Sequence, residues 1–184
     1  MEVKGTAVES IPIFVKKKFS DRFEEWLNSL SETSQKIMRE KILPSSWYPL
    51  REAIIIPTQK ICELFYKSVD EGAWEAGRFS ADYALHGIYK WFVKIGSPGF
   101  IISRASTIFS TYYKPSEMKP VENFPKRAVV HITHFPEPNR LIELRIGGWI
   151  ERALEISGCK DLKVEITKSL TKGDPVTEFV MEWK

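Results

Sequence analysis

The last forty residues, RIGGWIERALEISGCKDLKVEITKSLTKGDPVTEFVMEWK from Arg145 to Lys184, decide the fold class. Ile146, Trp149, Ile150, Ala153 and Leu154 recur at three- and four-residue steps, the spacing of one helix face. Gly158 follows the last turn, where a residue that tolerates left-handed backbone geometry ends a helix. Leu162-Lys163-Val164-Glu165-Ile166 then alternates apolar and charged, which sends the two sets to opposite faces of a strand. Glu178 to Trp183 alternates in the same way, and Gly173-Asp174-Pro175 between the two runs is a turn signal. The pattern predicts a helix laid on an antiparallel strand pair.

Working upstream, Arg127–Phe135 (RAVVHITHF) is β-branched and alternating, and predicts a third strand. PEPNR turns the chain. Asn139 then caps the helix, which runs to about Ser157 and adds Ile142 to its stripe. Ile142 to Ile146 also alternates as a strand would, so the start of the helix stays open. These elements make a sheet-plus-helix part over 126–184. The preceding KPSEMKPVENFP, Lys114–Pro125, has prolines and no period, and is expected to be an irregular boundary.

The rest of the chain has helical spacing. Ser97 and Pro98 start a helix through Tyr113, with Ile101, Ile102, Ala105, Ile108, Phe109 and Tyr112 on its inner face. Asp70 is the expected cap of a helix from Glu71 to about Ile95. Its Ala73, Gly77, Ala81 and Ala84 form a face of small residues that allows close helix approach, and the aromatics around it mark it as central. Leu50–Val69 predicts a helix kinked at Pro57. Leu43–Leu50 is a connector pinned by Trp47 and Tyr48. Residues 1–43 predict a helical annex without strands: a first helix over 6–19 that Pro12 pushes toward a start at Ile11, a second over 20–30, and a third to Ile42 capped by Ser31. The whole is expected to be one α+β domain over 1–184, with an annex (1–43), central helices (44–114) and the sheet part (126–184).

A length of 184 residues suits one domain, and 43% hydrophobic with 28% charged residues is a globular balance. A net charge of +3 neither demands nor excludes a nucleic-acid partner, but no concentrated basic stripe marks one, and none is expected. No apolar run approaches the roughly 18 residues of a membrane span. MEVKGTAVES lacks the basic-then-apolar order of a signal peptide. Cys62 and Cys159 are distant and each lies among apolar residues, as small buried hydrophobes in a reducing compartment do. A cytoplasmic location is expected.

Catalytic motifs are absent. Ser103, Ser106 and Ser110 fall within a helix, where hydroxyls bond back to the chain. Gly147-Gly148 lies in a helical pattern and reads as a packing device, not a phosphate loop. His131 and His134 sit three apart on a strand and point to opposite faces, which a shared metal does not allow. His86, among aromatics on the central helix, is the one candidate axial ligand for a haem. Trp91, Arg104, Phe109, Tyr112 and Tyr113 can line a pocket for a flat or oily molecule, since such pockets are mostly apolar with a few placed polar groups.

Three blocks carry a resemblance: WYPL at 47–50, SRASTIFSTYY at 103–113, and GGWIERALEISG, VEIT and GDPVTEFVMEW between 147 and 183. Together they resemble an uncharacterised bacterial family, the paralogous type of myxobacteria. That family is similar to the haem-nitric-oxide/oxygen-binding (H-NOX) domains and to the small-molecule-binding domain of the 4-vinyl-reductase type. The resemblance implies helices packed on a small antiparallel sheet with a cavity between them. In H-NOX domains the cavity holds haem, ligated by a His on the helix matching 99–113 and gripped at its propionates by a Tyr-x-Ser-x-Arg motif. This chain has neither, so no cofactor is expected. The vinyl-reductase type often has a Cys after its GDP turn, where this chain has Thr177. The expected function is a non-catalytic sensor or regulatory module that binds a small apolar ligand. A homodimeric interaction module without ligand is the alternative, and a haem-binding gas sensor the third.

Overall fold

The computed structural model describes residues 1–86 and 97–184. The chain runs β1 (Glu2–Lys4), α1 (Gly5–Lys18), α2 (Phe23–Asn28), α3 (Glu32–Arg39), β2 (Trp47–Pro49), α4 (Ile56–Phe65) and α5 (Val69–His86). It continues through α6 (Pro98–Ser103), α7 (Ala105–Tyr112), β3 (Tyr113–Lys114), β4 (Glu117–Phe124), β5 (Arg127–His134), α8 (Arg140–Ile156), β6 (Lys163–Lys168) and β7 (Thr177–Glu182).

The C-terminal unit follows its pattern. β4, β5, β7 and β6 form an antiparallel sheet in that order, with β7 pairing Val129↔Val180 on one side and Val164↔Met181 on the other. Ala128, Val130, Ile132, Phe179 and Met181 are buried. The Asn139 side chain accepts the Leu141 N–H at 2.9 Å and starts α8, and Gly158 follows it at φ +104°. Glu143, buried on α8, accepts from the hydroxyls of Ser169 (2.6 Å) and Thr177 (2.6 Å). That bond set ties the Leu170–Lys172 turn back to the helix, so Thr177 is structural.

The central contact is α5 against α8. A Cβ on Gly77 would lie 2.1 Å from the Arg145 carbonyl oxygen, and one on Gly148 would lie 2.2 Å from that of Trp74. Backbone meets backbone there, which only glycine permits. Charged pairs flank the crossing: Arg78 bonds Glu151 and, at 2.9 Å, Glu155, while Arg152 bonds Asp82 at 2.8 Å.

Several elements differ from expectation. Lys114–Pro125 is not irregular; it holds β4, an edge strand. Pro120 has no N–H to donate, and register shifts flank it, which an edge position tolerates. The annex is not strand-free. β1 joins β2 and β3 in a three-stranded antiparallel sheet, and strands of two or three residues leave no readable period. α1 starts at Gly5 and passes through Pro12, where burial of Val8, Ile11 and Val15 outweighs one lost backbone bond. Between α1 and α2 the chain makes a tight 3₁₀ turn at Ser20–Arg22. The helix after Leu50 begins as a wide π-helical turn, Arg51–Ile55, and Pro57 falls in the first turn of α4. Ser68, not Asp70, caps α5, its hydroxyl accepting the Glu71 N–H at 3.1 Å. The end expected for that helix lies outside the described residues. The helix over 97–113 is two segments, broken where Arg104 adopts φ −99° and ψ 3°.

Two outcomes follow from this packing. Gly148→Ala forces the α5 and α8 backbones apart, and its overpacking cost of about 1–3 kcal/mol exceeds the helix-propensity gain of roughly 1 kcal/mol. Urea denaturation should show a lower midpoint; an unchanged midpoint contradicts the contact. On the outer sheet, the Thr167 hydroxyl bonds Glu178, and Lys168 and His131 (2.5 Å) add to it, holding that carboxyl down at about 2. This stabilisation is complete above the ordinary carboxylate value of about 4.5 and is lost as pH falls toward 2. Glu178→Gln should flatten that part of the stability–pH curve, measured by denaturant unfolding between those limits.

Candidate functional site

α6 and α7 lie across β4, and α8 lies across the other side of the same opening. The break at Arg104 and the small side chains of Ala105 and Ala153 keep these faces from closing. An apolar cavity of about 80 Å³ remains between α7, α8 and the sheet. Phe109, Tyr112, Met118, Val130, Trp149 and Met181 form much of its wall. A second hollow of about 350 Å³ shares Ile101, Ile108, Tyr112, Trp149 and Ala153 with it.

One charged side chain reaches the cavity wall. Arg145 is 4% exposed, and its Nη1 donates to the Thr58 hydroxyl at 3.2 Å. No carboxylate among the described residues pairs with it. Burial pushes its pKa down from the ordinary arginine value, with the nearby Tyr113 and Cys62 acting in the opposite sense. Burial in turn pushes the Tyr113 hydroxyl up, and Arg145 offsets part of that rise. A guanidinium remains charged in proteins. Taking such a cation out of water costs several kcal/mol when nothing offsets it. One turn further along α8, the Trp149 Nε1 is also buried and without an acceptor among the described residues. Residues four apart share a helix face, and both Arg145 and Trp149 belong to the lining of the cavity.

Of the residues expected at a pocket, Phe109, Tyr112 and Tyr113 are brought together on this wall. The Phe109 and Tyr113 rings lie 5.2 Å apart, and Tyr113 meets Phe135 at 5.6 Å. Arg104 is not in the cavity. It sits at the helix break, exposed, with its guanidinium 5.5 Å from the Phe100 ring, and borders only the second hollow. His86 is not there either; it is exposed on α5, its Nδ1 3.0 Å from the Asp82 carbonyl oxygen. Trp91 lies outside the described residues. His131 pairs with Glu178 while His134 is exposed, and no group of three metal-ligating side chains occurs among the described residues. Cys62 and Cys159 are free and buried, and burial raises each thiol to about 11. Arg145 escaped the sequence reading because it stands beside the conspicuous Gly147-Gly148. Its one signal is an arginine inside an apolar stripe, four residues before Trp149.

No protein-family model matches the chain, and no curated protein matches it. Solved structures do. The chain is similar to an H-NOX protein from S. oneidensis in the Fe(II)NO state, with 11% identity over 98% of this chain and 99% of that one and a TM-score of 0.75. An unliganded Fe(II) H-NOX protein from K. algicida gives 9% identity, 98% and 96% coverage and a TM-score of 0.70. A protein whose haem redox potential is modulated by porphyrin distortion gives 13%, 98%, 99% and 0.68. Likeness at these identities establishes the architecture: this chain has the H-NOX fold, α+β, over nearly its full length.

The side chains present do not fit a histidine-ligated haem. α6 and α7 carry no His, and the described cavity wall offers neither imidazole nor thiolate, only the thioethers of Met118 and Met181 and the hydroxyls of Ser80, Tyr112 and Tyr113.

With no carboxylate opposite it among the described residues, the buried Arg145 guanidinium is expected to weaken the fold. The double variant Arg145→Met with Thr58→Val, which leaves no hydroxyl orphaned, should be more stable than the parent by about 1–4 kcal/mol. Chemical denaturation of ligand-stripped protein measures this. A loss of stability would mean that the cation has a compensating partner.

Proposed function

We propose that this chain is a non-catalytic sensor or regulatory module that takes a small, mostly apolar ligand into the space between α7, α8 and the sheet. The observation that carries this reading is the cavity itself: an apolar wall at the helix–sheet junction, with a costly buried cation on it. A filled structural core has no use for either feature. The likeness to H-NOX proteins supports the choice of place, because the neighbouring structures are iron- and haem-containing proteins of the same fold. Movement of α7 against the sheet is the natural output, since α7 borders the space and runs directly into β3.

A second reading, self-association without ligand, is favoured by Val121 and Phe124 on the edge strand β4, which are 53% and 59% exposed. Edge strands with exposed apolar side chains invite pairing with another chain.

Native mass spectrometry of the purified protein separates these readings. The first expects a bound apolar molecule that leaves on denaturation, and Ala105→Phe, which fills the space, should lose it while staying folded. An empty dimer, with Ala105→Phe indistinguishable from the parent, would support the second. Incubation with haemin should give no stoichiometric Soret band; such a band would restore the haem reading.

A further inference from the structure

The cavity wall is uneven in a specific way. Its apolar part comes from α6, α7, α8 and the sheet, and the residues that carry its two strong donors, Arg145 and Trp149, both lie on α8. Arg145 is the one charged residue of the described lining, and no aspartate or glutamate joins it. A guanidinium has five N–H donors, and the bond to Thr58 uses a single Nη1 contact. The Trp149 Nε1, buried on the same face, has no acceptor among the described residues. Neither group can accept a hydrogen bond, so a neutral hydrocarbon leaves both unsatisfied. A dianion would leave a net negative charge buried in the site.

We infer that the ligand is an amphiphile with a single negative charge, an alkyl carboxylate whose head pairs with Arg145 and accepts from Trp149. The inference rests on the ligand-binding reading above and gives that ligand its chemistry. The carboxylate neutralises the guanidinium, and its second oxygen meets the indole N–H. The chain follows the apolar wall of Phe109, Met118 and Met181 or passes Ile108 into the second hollow, whose 350 Å³ lies within the usual range for such ligands. Tyr113, a neutral hydroxyl beside Arg145, leaves the positive charge available to the ligand.

The test uses the delipidated full chain and two probes of equal length, decanoate and decanol, below their aggregation limits. Calorimetric titration should show saturable one-to-one binding of decanoate, at least about tenfold tighter than decanol, as a charge-assisted bond in a dry site implies. In Arg145→Met the preference should disappear while decanol still binds. Arg145→Lys, which keeps the charge without the planar fork, should retain part of it and serves if the methionine variant does not fold. Equal binding of both probes to the parent overturns the head-group inference and leaves an apolar site standing. Decanoate preference undiminished in Arg145→Met places the head elsewhere and overturns it as well. Binding of neither probe overturns the ligand-binding reading itself.

Discussion

The close approach of α5 and α8 at Gly77 and Gly148 is the constraint on which the rest of the structure depends. With backbone touching backbone, α8 has no freedom to rotate about its own axis. Its orientation then sets which residues face the sheet and which face α7. Arg145 abuts Gly77 through its carbonyl, so its side chain is directed away from that contact and into the core. Glu143 on the same helix is locked by hydroxyls from the turn before β7. Part-buried charged pairs along the outer side of the crossing, Arg78 with Glu151 and Glu155 and Arg152 with Asp82, add to its orientation.

The cavity is the consequence of that rigidity meeting an interrupted partner. A continuous helix over 97–113 would present one unbroken stripe to the sheet. The break at Arg104 divides it, turns Arg104 outward, and leaves Phe109, Tyr112 and Tyr113 to bridge to β4 and Trp149. Protein interiors are close-packed, so a remaining apolar void beside an uncompensated guanidinium costs stability twice. Proteins keep such costs where a bound molecule removes them.

Much of the architecture was legible in residue patterns. Asn139, Gly158 and the alternating runs at 162–166 and 178–183 specified the helix-on-sheet unit, because each local signal agreed with its neighbours. The small residues of α5 announced the close crossing. β4 was not legible, since Pro120 within it and Pro115 and Pro125 beside it mask a strand that tertiary pairing imposes at the sheet edge. β1, β2 and β3 were too short to leave a period. At the site, Phe109, Tyr112 and Tyr113 were readable from helical spacing. That Arg104 and His86 are exposed, Arg104 beside the second hollow, was not legible, because an arginine or histidine flanked by apolar residues looks buried until the break or exposed face of its helix is known. Arg145 was hidden for the opposite reason: helical spacing alone does not distinguish a snorkelling arginine from one sealed inside.

The chain has the H-NOX fold without an imidazole on α6 or α7 or a Tyr-x-Ser-x-Arg motif, and it holds a buried cation on α8. The most direct test of that account is a crystal structure of the protein as purified, at a resolution that shows cavity contents. The account predicts elongated density along the Phe109–Met181 wall, ending against the Arg145 guanidinium. A dry, collapsed cavity with Arg145 satisfied by protein groups alone would contradict it.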